Sequence, residues 1–314
     1  MRGIPMTPDA AAMPRLEARR ARRSPWEGNA LPVLTIVLAI VCIWYAATVA
    51  MNWRGTADAF GRAGETRTAS EIALATLAQE RPMLPAPHQI VFELKKTVID
   101  TPMTSRRSLV YHAWVTLSST LVGFGLGTVL GIVLAVLVVH VKTLERSLMP
   151  WVISSQTIPI LAIAPIVIVV LGSIGITGLL PKSIISAYLC FFPITIGMVK
   201  GLNSPDPMQR DLMRTYSASQ AQTLWKLRLP ASVPYLFAGL KVAVAISLVG
   251  AIVGELPTGA QAGLGARLLA GSYFGQTIQI WAALFGAAIL ASLLVATVGL
   301  VEQLVNRSMG ARSA

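Results

Sequence analysis

Residues 204–230, SPDPMQRDLMRTYSASQAQTLWKLRLP, lie between two long apolar runs and read as two short helices joined by a hinge. Asp206 before Pro207 is a helix start: the Asp side chain accepts orphan backbone donors, and proline fits the first helical position. Ser219, three residues before Gln222, has the capping-box spacing and opens a second helix. Met208, Leu212 and Tyr216 recur at i, i+4 and i+8, so a polar connector carries one narrow apolar stripe. Such a stripe asks for a partner.

The sequence on either side belongs in a bilayer. Hydrophobic residues make up 54% of the 314 and charged residues only 13%, which excludes an ordinary soluble domain. About 20 apolar residues cross the hydrocarbon core as a helix. Six runs qualify, at 31–51, 114–139, 148–171, 184–199, 233–256 and 278–301. They divide the chain into a basic tail (1–30), a first span (31–51), an external connector (52–107), a core of five spans carrying the loop 204–230 (108–305), and a second tail (306–314).

The net charge of +12 is placed for a membrane and not for nucleic acid. Arg15, Arg19, Arg20, Arg22 and Arg23 precede the first span, Lys142 and Arg146 follow the second, and Arg210, Arg214, Lys226 and Arg228 lie in the loop. With six spans all of these fall on one side, and the positive-inside rule makes that side, and both termini, cytoplasmic. Lys182 and Arg267 are exceptions in the short opposite loops. The first apolar run is longer than a signal-peptide core and has no small-x-small cleavage site, so it reads as a retained span. The tail before it is suited to touch anionic lipid. In the connector, Ile90, Val91, Leu94 and Val98 at helical spacing predict an amphipathic helix.

Inside the spans, Gly123, Gly127 and Gly131 recur every four residues, a spacing that lets another helix approach closely, within one subunit or across a dimer. Pro159, Pro165 and Pro193 predict kinks. Lys241 and Glu255 bracket the fifth run about 21 Å apart on one helix, too far to pair. Lys241 is expected to snorkel. Glu255 is a candidate lining or gate of the external mouth, or else a solvated helix end. Tyr188, Phe191 and Phe192 face either a pathway for a flat ring or, as is commoner for such a cluster, lipid or core packing. Cys42 and Cys190 lie in apolar runs, and His88, His112 and His140 lack ligand spacing, so neither a disulfide nor a metal site is expected. The sequence has no phosphate-cradling GxxxxGK[ST] and no nucleophile with a nearby base, so no enzyme chemistry and no cofactor is assigned to this chain.

The loop resembles that of binding-protein-dependent ABC importer permeases, whose motif is Glu-Ala-Ala, three residues, Gly, nine residues, Ile-x-Leu-Pro. Asp211, Leu212 and Met213 occupy the Glu-Ala-Ala places and Ser217 the Gly place, and Leu227, Arg228, Leu229 and Pro230 close it in register. The flanks FFPITIGMVKGLNSPDP and LPASVPYLFAGLKVA resemble the nitrate, sulfonate, taurine and bicarbonate branch, while GELPTGAQAGLGARLLAGSYFGQT looks closer to pyrimidine-type relatives. Ser217 is the sharpest departure: a left-handed hinge disfavours a non-glycine residue by roughly 1–2 kcal/mol, so a differently shaped hinge is expected.

The resemblance implies an all-α membrane protein with six transmembrane helices of the type I importer permease fold. It implies that Met208, Asp211, Leu212, Met213, Tyr216, Ser217, Leu229 and Pro230 couple the spans to a separate ABC ATPase, which binds the ATP and Mg. It further implies a second permease copy as a homodimer, an external solute-binding protein and alternating access. The competing reading is a stand-alone secondary carrier or channel. Broken helices can supply carbonyls to sodium, but the spans lack the carboxylates of a proton-coupled carrier.

Overall fold

The computed structural model describes residues 30–257 and 262–309, and all the regular structure among them is helical. The basic tail and residues 310–314 lie outside the described residues. The chain falls into two units that meet between Ala47 and Thr48. In the first, the apolar start of helix α1 (Ala30–Arg62) exposes Val33, Ile36, Val37, Ile40 and Ile43, a surface suited to hydrocarbon.

The second unit begins inside α1, which runs past the expected boundary at residue 51 to Arg62. Asn52 explains part of the extension. It is 2% exposed, and its amide donates to the Leu84 carbonyl (2.9 Å) and accepts from the Met83 N–H (2.8 Å), tying the connector to the helix. The connector holds two helices, α2 (Ala69–Thr76) and α3 (Pro87–Lys95), with a π-helical turn over Lys96–Asp100. Thr68 and Glu71 form a capping box at the start of α2, and the Thr68 N–H bonded to the Glu71 carboxylate holds that carboxyl below its ordinary pKa. In α3 the inward face is Ile90 and Leu94, whereas Val91 is 64% exposed, so the expected apolar face is narrower than the spacing implied.

Four further long helices are apolar enough to span: α4 (Leu109–His140), α7 (Leu179–Leu202), α10 (Leu229–Glu255) and α12 (Thr277–Ser308). The expected third span is not one helix. It is α5 (Lys142–Ser154), a short 3-10 turn, and α6 (Ile160–Ser173), bent by 100° at the break. Pro159 is the cause: the residue before a proline is pushed out of the helical region, and both Ile158 (ψ 124°) and Pro159 (ψ 117°) are extended. The described residues therefore contain five single spans, or six if the bent pair counts as one. Pro165 and Pro193 lie inside continuous α6 and α7.

α7 is the centre of the bundle, with α4 on one side and α10 on the other. Glycine makes the α4 approach possible. A Cβ on Gly123 would lie 2.3 Å from Ser186 Cβ, one on Gly127 2.2 Å from Cys190 Sγ, and one on Gly131 2.9 Å from the Phe191 carbonyl. The close approach expected of these glycines is thus made within one subunit. Serines link the three backbones: Ser183 donates to the Ser119 carbonyl, Ser186 to that of Ser247, and Ser247 to that of Thr120. In lipid, such packing and interhelical hydrogen bonds replace the hydrophobic drive. Ala135, Cys190, Ile194, Met198, Leu202 and Ala243 fill the core between them. Lys241 pairs with Glu302 near the C-terminal end of α12, and 37% of its side chain stays exposed.

Candidate functional site

At the C-terminal end of α7 the chain leaves the bundle as a hairpin of α8 (Pro207–Thr215) and α9 (Gln220–Thr223). Both predicted caps are present: Asp206 Oδ1 accepts from Met208 N (2.9 Å), and Ser219 Oγ from Gln222 N (3.2 Å). The hinge does not depart from the left-handed form. Ser217 itself adopts φ 50°, with its N–H on the Arg214 carbonyl (2.8 Å) and the Ala218 N–H on the Met213 carbonyl (2.9 Å). These two bonds are the Schellman closure that usually selects glycine; here satisfied carbonyls offset the strain on serine. The stripe points outward, with Met208 79%, Leu212 55% and Tyr216 77% exposed, while Asp211 is exposed and Met213 half-buried. A π-helical turn over Leu224–Arg228 then leads without a break into α10, where Leu229 begins the helix and Pro230, in its first turn, offers no N–H to the turn before it. Arg210, Arg214 and Arg228 surround a concavity of about 320 Å³ under the hairpin, and the buried Nε of Arg228 has no hydrogen-bond partner.

A second polar centre lies at the other end of α10. Glu255 is no solvated helix end: it is fully buried. Its carboxylate accepts from Thr116 Oγ1 (2.9 Å) and the Gly265 N–H (2.8 Å), and Lys182 Nζ stands 3.9 Å away. It belongs to a device that holds the start of α11 (Leu264–Tyr273). The N–H groups of Gly263, Leu264 and Gly265 go in turn to His112 Nδ1, Thr116 Oγ1 and Glu255 Oε2. Because Gly263 donates to Nδ1, the His112 proton is on Nε2, which donates to the Arg106 carbonyl (2.9 Å). The glycines are needed for contact: a Cβ on Gly263 would lie 2.2 Å from the Glu255 carboxyl carbon. A carboxylate at a helix N-terminus is also favourably placed against its dipole. On α11 itself, burial lowers the pKa of Arg267 against the opposing pull of Glu93.

The structure therefore joins Glu255 to Lys182 and Thr116, which the sequence reading did not connect, and keeps it apart from the aromatic trio. Tyr188 donates to the Ser155 carbonyl at the end of α5 and packs on Phe191, which is 8% exposed; Phe192 is half-buried. None of the three borders the cavity of about 740 Å³ that Lys182 lines. Among the described residues no group of His, Cys, Asp and Glu side chains is arranged to hold a metal.

A bundle of spanning helices with a capped hairpin emerging between two of them is the architecture of a multi-pass membrane protein. Residues 127–311 match the family described as binding-protein-dependent transport system inner membrane component, and the chain belongs to that family. It is 35% identical over 183 residues to the formylaminopyrimidine transport permease protein ThiX of Halalkalibacterium halodurans, covering 58% of this chain and 68% of that one. It is 32% identical over 196 residues to the riboflavin transport system permease protein RibX of Chloroflexus aurantiacus, covering 62% of this chain and 71% of that one. A crystal structure of an amino acid ABC transporter with histidines shares the fold, with a TM-score of 0.50 and 15% identity over 64% of this chain and 93% of that one. The protein is thus a multi-pass inner membrane component of a binding-protein-dependent transport system.

Proposed function

We propose that this chain is the translocation subunit of an ATP-driven importer and that the hairpin couples its spans to a separate ATPase subunit. The observation that carries this is the exposed stripe of Met208, Leu212 and Tyr216 on a helix fixed by caps at both ends. Large apolar side chains held out on a polar, basic segment make a knob for a groove on another protein. Asp211, Leu212, Met213 and Ser217 sit where the motif places its contacts, and Leu229 and Pro230 transmit the motion directly into α10. The arginine concavity adds an electrostatic partner for acidic groups of the ATPase.

In this account ATP, with Mg, is bound by the ATPase, whose closure draws two hairpins together and reorients the spans of two copies of this chain. The hairpin and both termini are cytoplasmic. An external binding protein delivers a small polar solute from the range nitrate, sulfonate, taurine or a pyrimidine-like molecule. The names of ThiX and RibX support an organic member of that range. Changing Leu212 and Tyr216 together to Asp tests the hairpin. Recovery of the ATPase with the tagged chain is expected to fall at least about ten-fold, about 1.4 kcal/mol of binding, while the chain's yield and thermal midpoint stay unchanged. Undiminished recovery would remove the hairpin from this role.

A further inference from the structure

The arginines under the hairpin form a charge cluster with little to neutralise it. Arg210 and Arg214 come from α8 and Arg228 from the π-helical turn that leads into α10, and all three line the concavity of about 320 Å³. Among the described residues the lining holds one acid, Asp211, which is exposed and lies 3.5 Å from the exposed Arg214. Neither Arg210 nor Arg228 pairs with a carboxylate among those residues, and Arg210 bears on Arg228 as a like charge. The Nε of Arg228 is shielded from water and meets no acceptor. A guanidinium drawn partly out of water without a counter-charge is costly. An anion in the concavity supplies that charge.

The cluster is turned away from the apolar stripe. Pro207, Arg210, Asp211 and Arg214 lie on one side of α8, about 150° around the helix from Met208, Leu212 and Tyr216. A protein seated on the stripe therefore meets the concavity only at its rim, where the Arg214 side chain is 85% exposed. The donors select the ligand class. An arginine fork matches two oxygens of a phosphate at once, and forks from two elements border one space near the lower end of the range of about 300–1,000 Å³ usual for small-molecule sites. Gln220, at the start of α9, adds a neutral amide. Trp225, in the same turn as Arg228, is 70% exposed, an amphipathic ring of the kind that settles at headgroup level.

We propose that this concavity binds a phosphate group, which bridges α8 to the turn before α10 and fastens the hairpin from beneath. An anionic lipid headgroup and soluble phosphate are two sources of that one chemistry. The site is a ligand site of the hairpin itself and goes beyond its docking to an ATPase.

The test follows amide exchange across residues 207–228 of the full chain in lipid nanodiscs, with no ATPase present. In phosphatidylcholine discs, inorganic phosphate is expected to slow exchange saturably relative to sodium chloride at matched ionic strength. In discs containing phosphatidylglycerol, slowed exchange without added phosphate assigns the site to lipid. Either response supports the proposal, and which one appears identifies the source. Arg228→Gln and Arg210→Gln are each expected to weaken the response at least about ten-fold, whereas Lys226→Gln, which removes a neighbouring cation outside the lining, leaves it unchanged. Exchange of each variant without ligand shows whether its hairpin still forms. No slowing by phosphate up to about 20 mM, together with no effect of phosphatidylglycerol, overturns the proposal. An equal loss in Lys226→Gln also overturns it, because the response then belongs to a diffuse basic surface. Acetate acting as well as phosphate overturns the assignment to phosphate and gives the concavity to carboxylates of a protein partner. With the ATPase absent throughout, failure of this site and failure of the importer reading are separate results.

Discussion

Replacing Glu255 by leucine leaves Lys182 buried without a counter-charge and the Gly265 N–H without an acceptor. Breaking a buried pair from one side costs about 3–5 kcal/mol, so Glu255→Leu is expected to lower the thermal midpoint in detergent sharply. Lys182→Met/Glu255→Leu is expected to regain much of that loss, because it removes both charges. Equal midpoints for the single and double variants would contradict the pairing. Glu255 was legible in the sequence as a lone acid ending an apolar run, but its setting was not. Thr116 stands 139 positions away, and a hydrogen bond between helices leaves no period in the chain. Ser217 shows the reverse case. The motif's register located the hinge, while the penalty on serine argued for another shape, because the two Schellman bonds that offset it form only once the turn closes. Ser217→Gly is accordingly expected to stabilise the hairpin by about 1 kcal/mol, seen as slower amide exchange at position 217 and at Ala218. Faster exchange would mean that the serine conformation is supported by something else.

Helix contacts give a sharper test of how α4 and α7 are held. Gly127→Ala would place a Cβ 2.2 Å from Cys190 Sγ and 3.0 Å from the Ala187 carbonyl, whereas Gly125, two residues earlier, has nothing within 4 Å. Overpacking of this kind costs about 1–3 kcal/mol. Gly127→Ala is expected to lower the thermal midpoint, Gly125→Ala to leave it unchanged, and Cys190→Ala to rescue Gly127→Ala in part. Identical behaviour of the two glycine variants would refute the close approach. The four-residue glycine spacing made one packed face readable, but the sequence did not say which helix filled it. The broken third span has a similar history. Pro159 was visible as an expected kink, but the 100° turn depends on Ile158 and Pro159 both being extended, which propensity alone does not specify. α11 was hidden because GLGARLLAGS reads as a glycine-rich loop; its first turn is held by His112, Thr116 and Glu255 from other helices.

Across the whole molecule, α7 links the Glu255–Lys182 centre to the hairpin. Its 24 residues, about 36 Å of helix, run from the Lys182 cavity to the hairpin. The all-helical membrane fold and the order of its spans were readable because apolar runs of spanning length are long signals. The limits of the connector were not, because Asn52 carries α1 past the apolar run through bonds to Met83 and Leu84. Mild-detergent purification of the tagged, unmutated chain from its native host, with mass spectrometric identification and assay of what accompanies it, tests the central claim most directly. The account predicts a stoichiometric ATPase carrying a phosphate-binding loop, and solute uptake by the reconstituted complex only when ATP is supplied. Recovery of the chain alone, stable and transporting without ATP, would contradict it and leave a stand-alone carrier in its place.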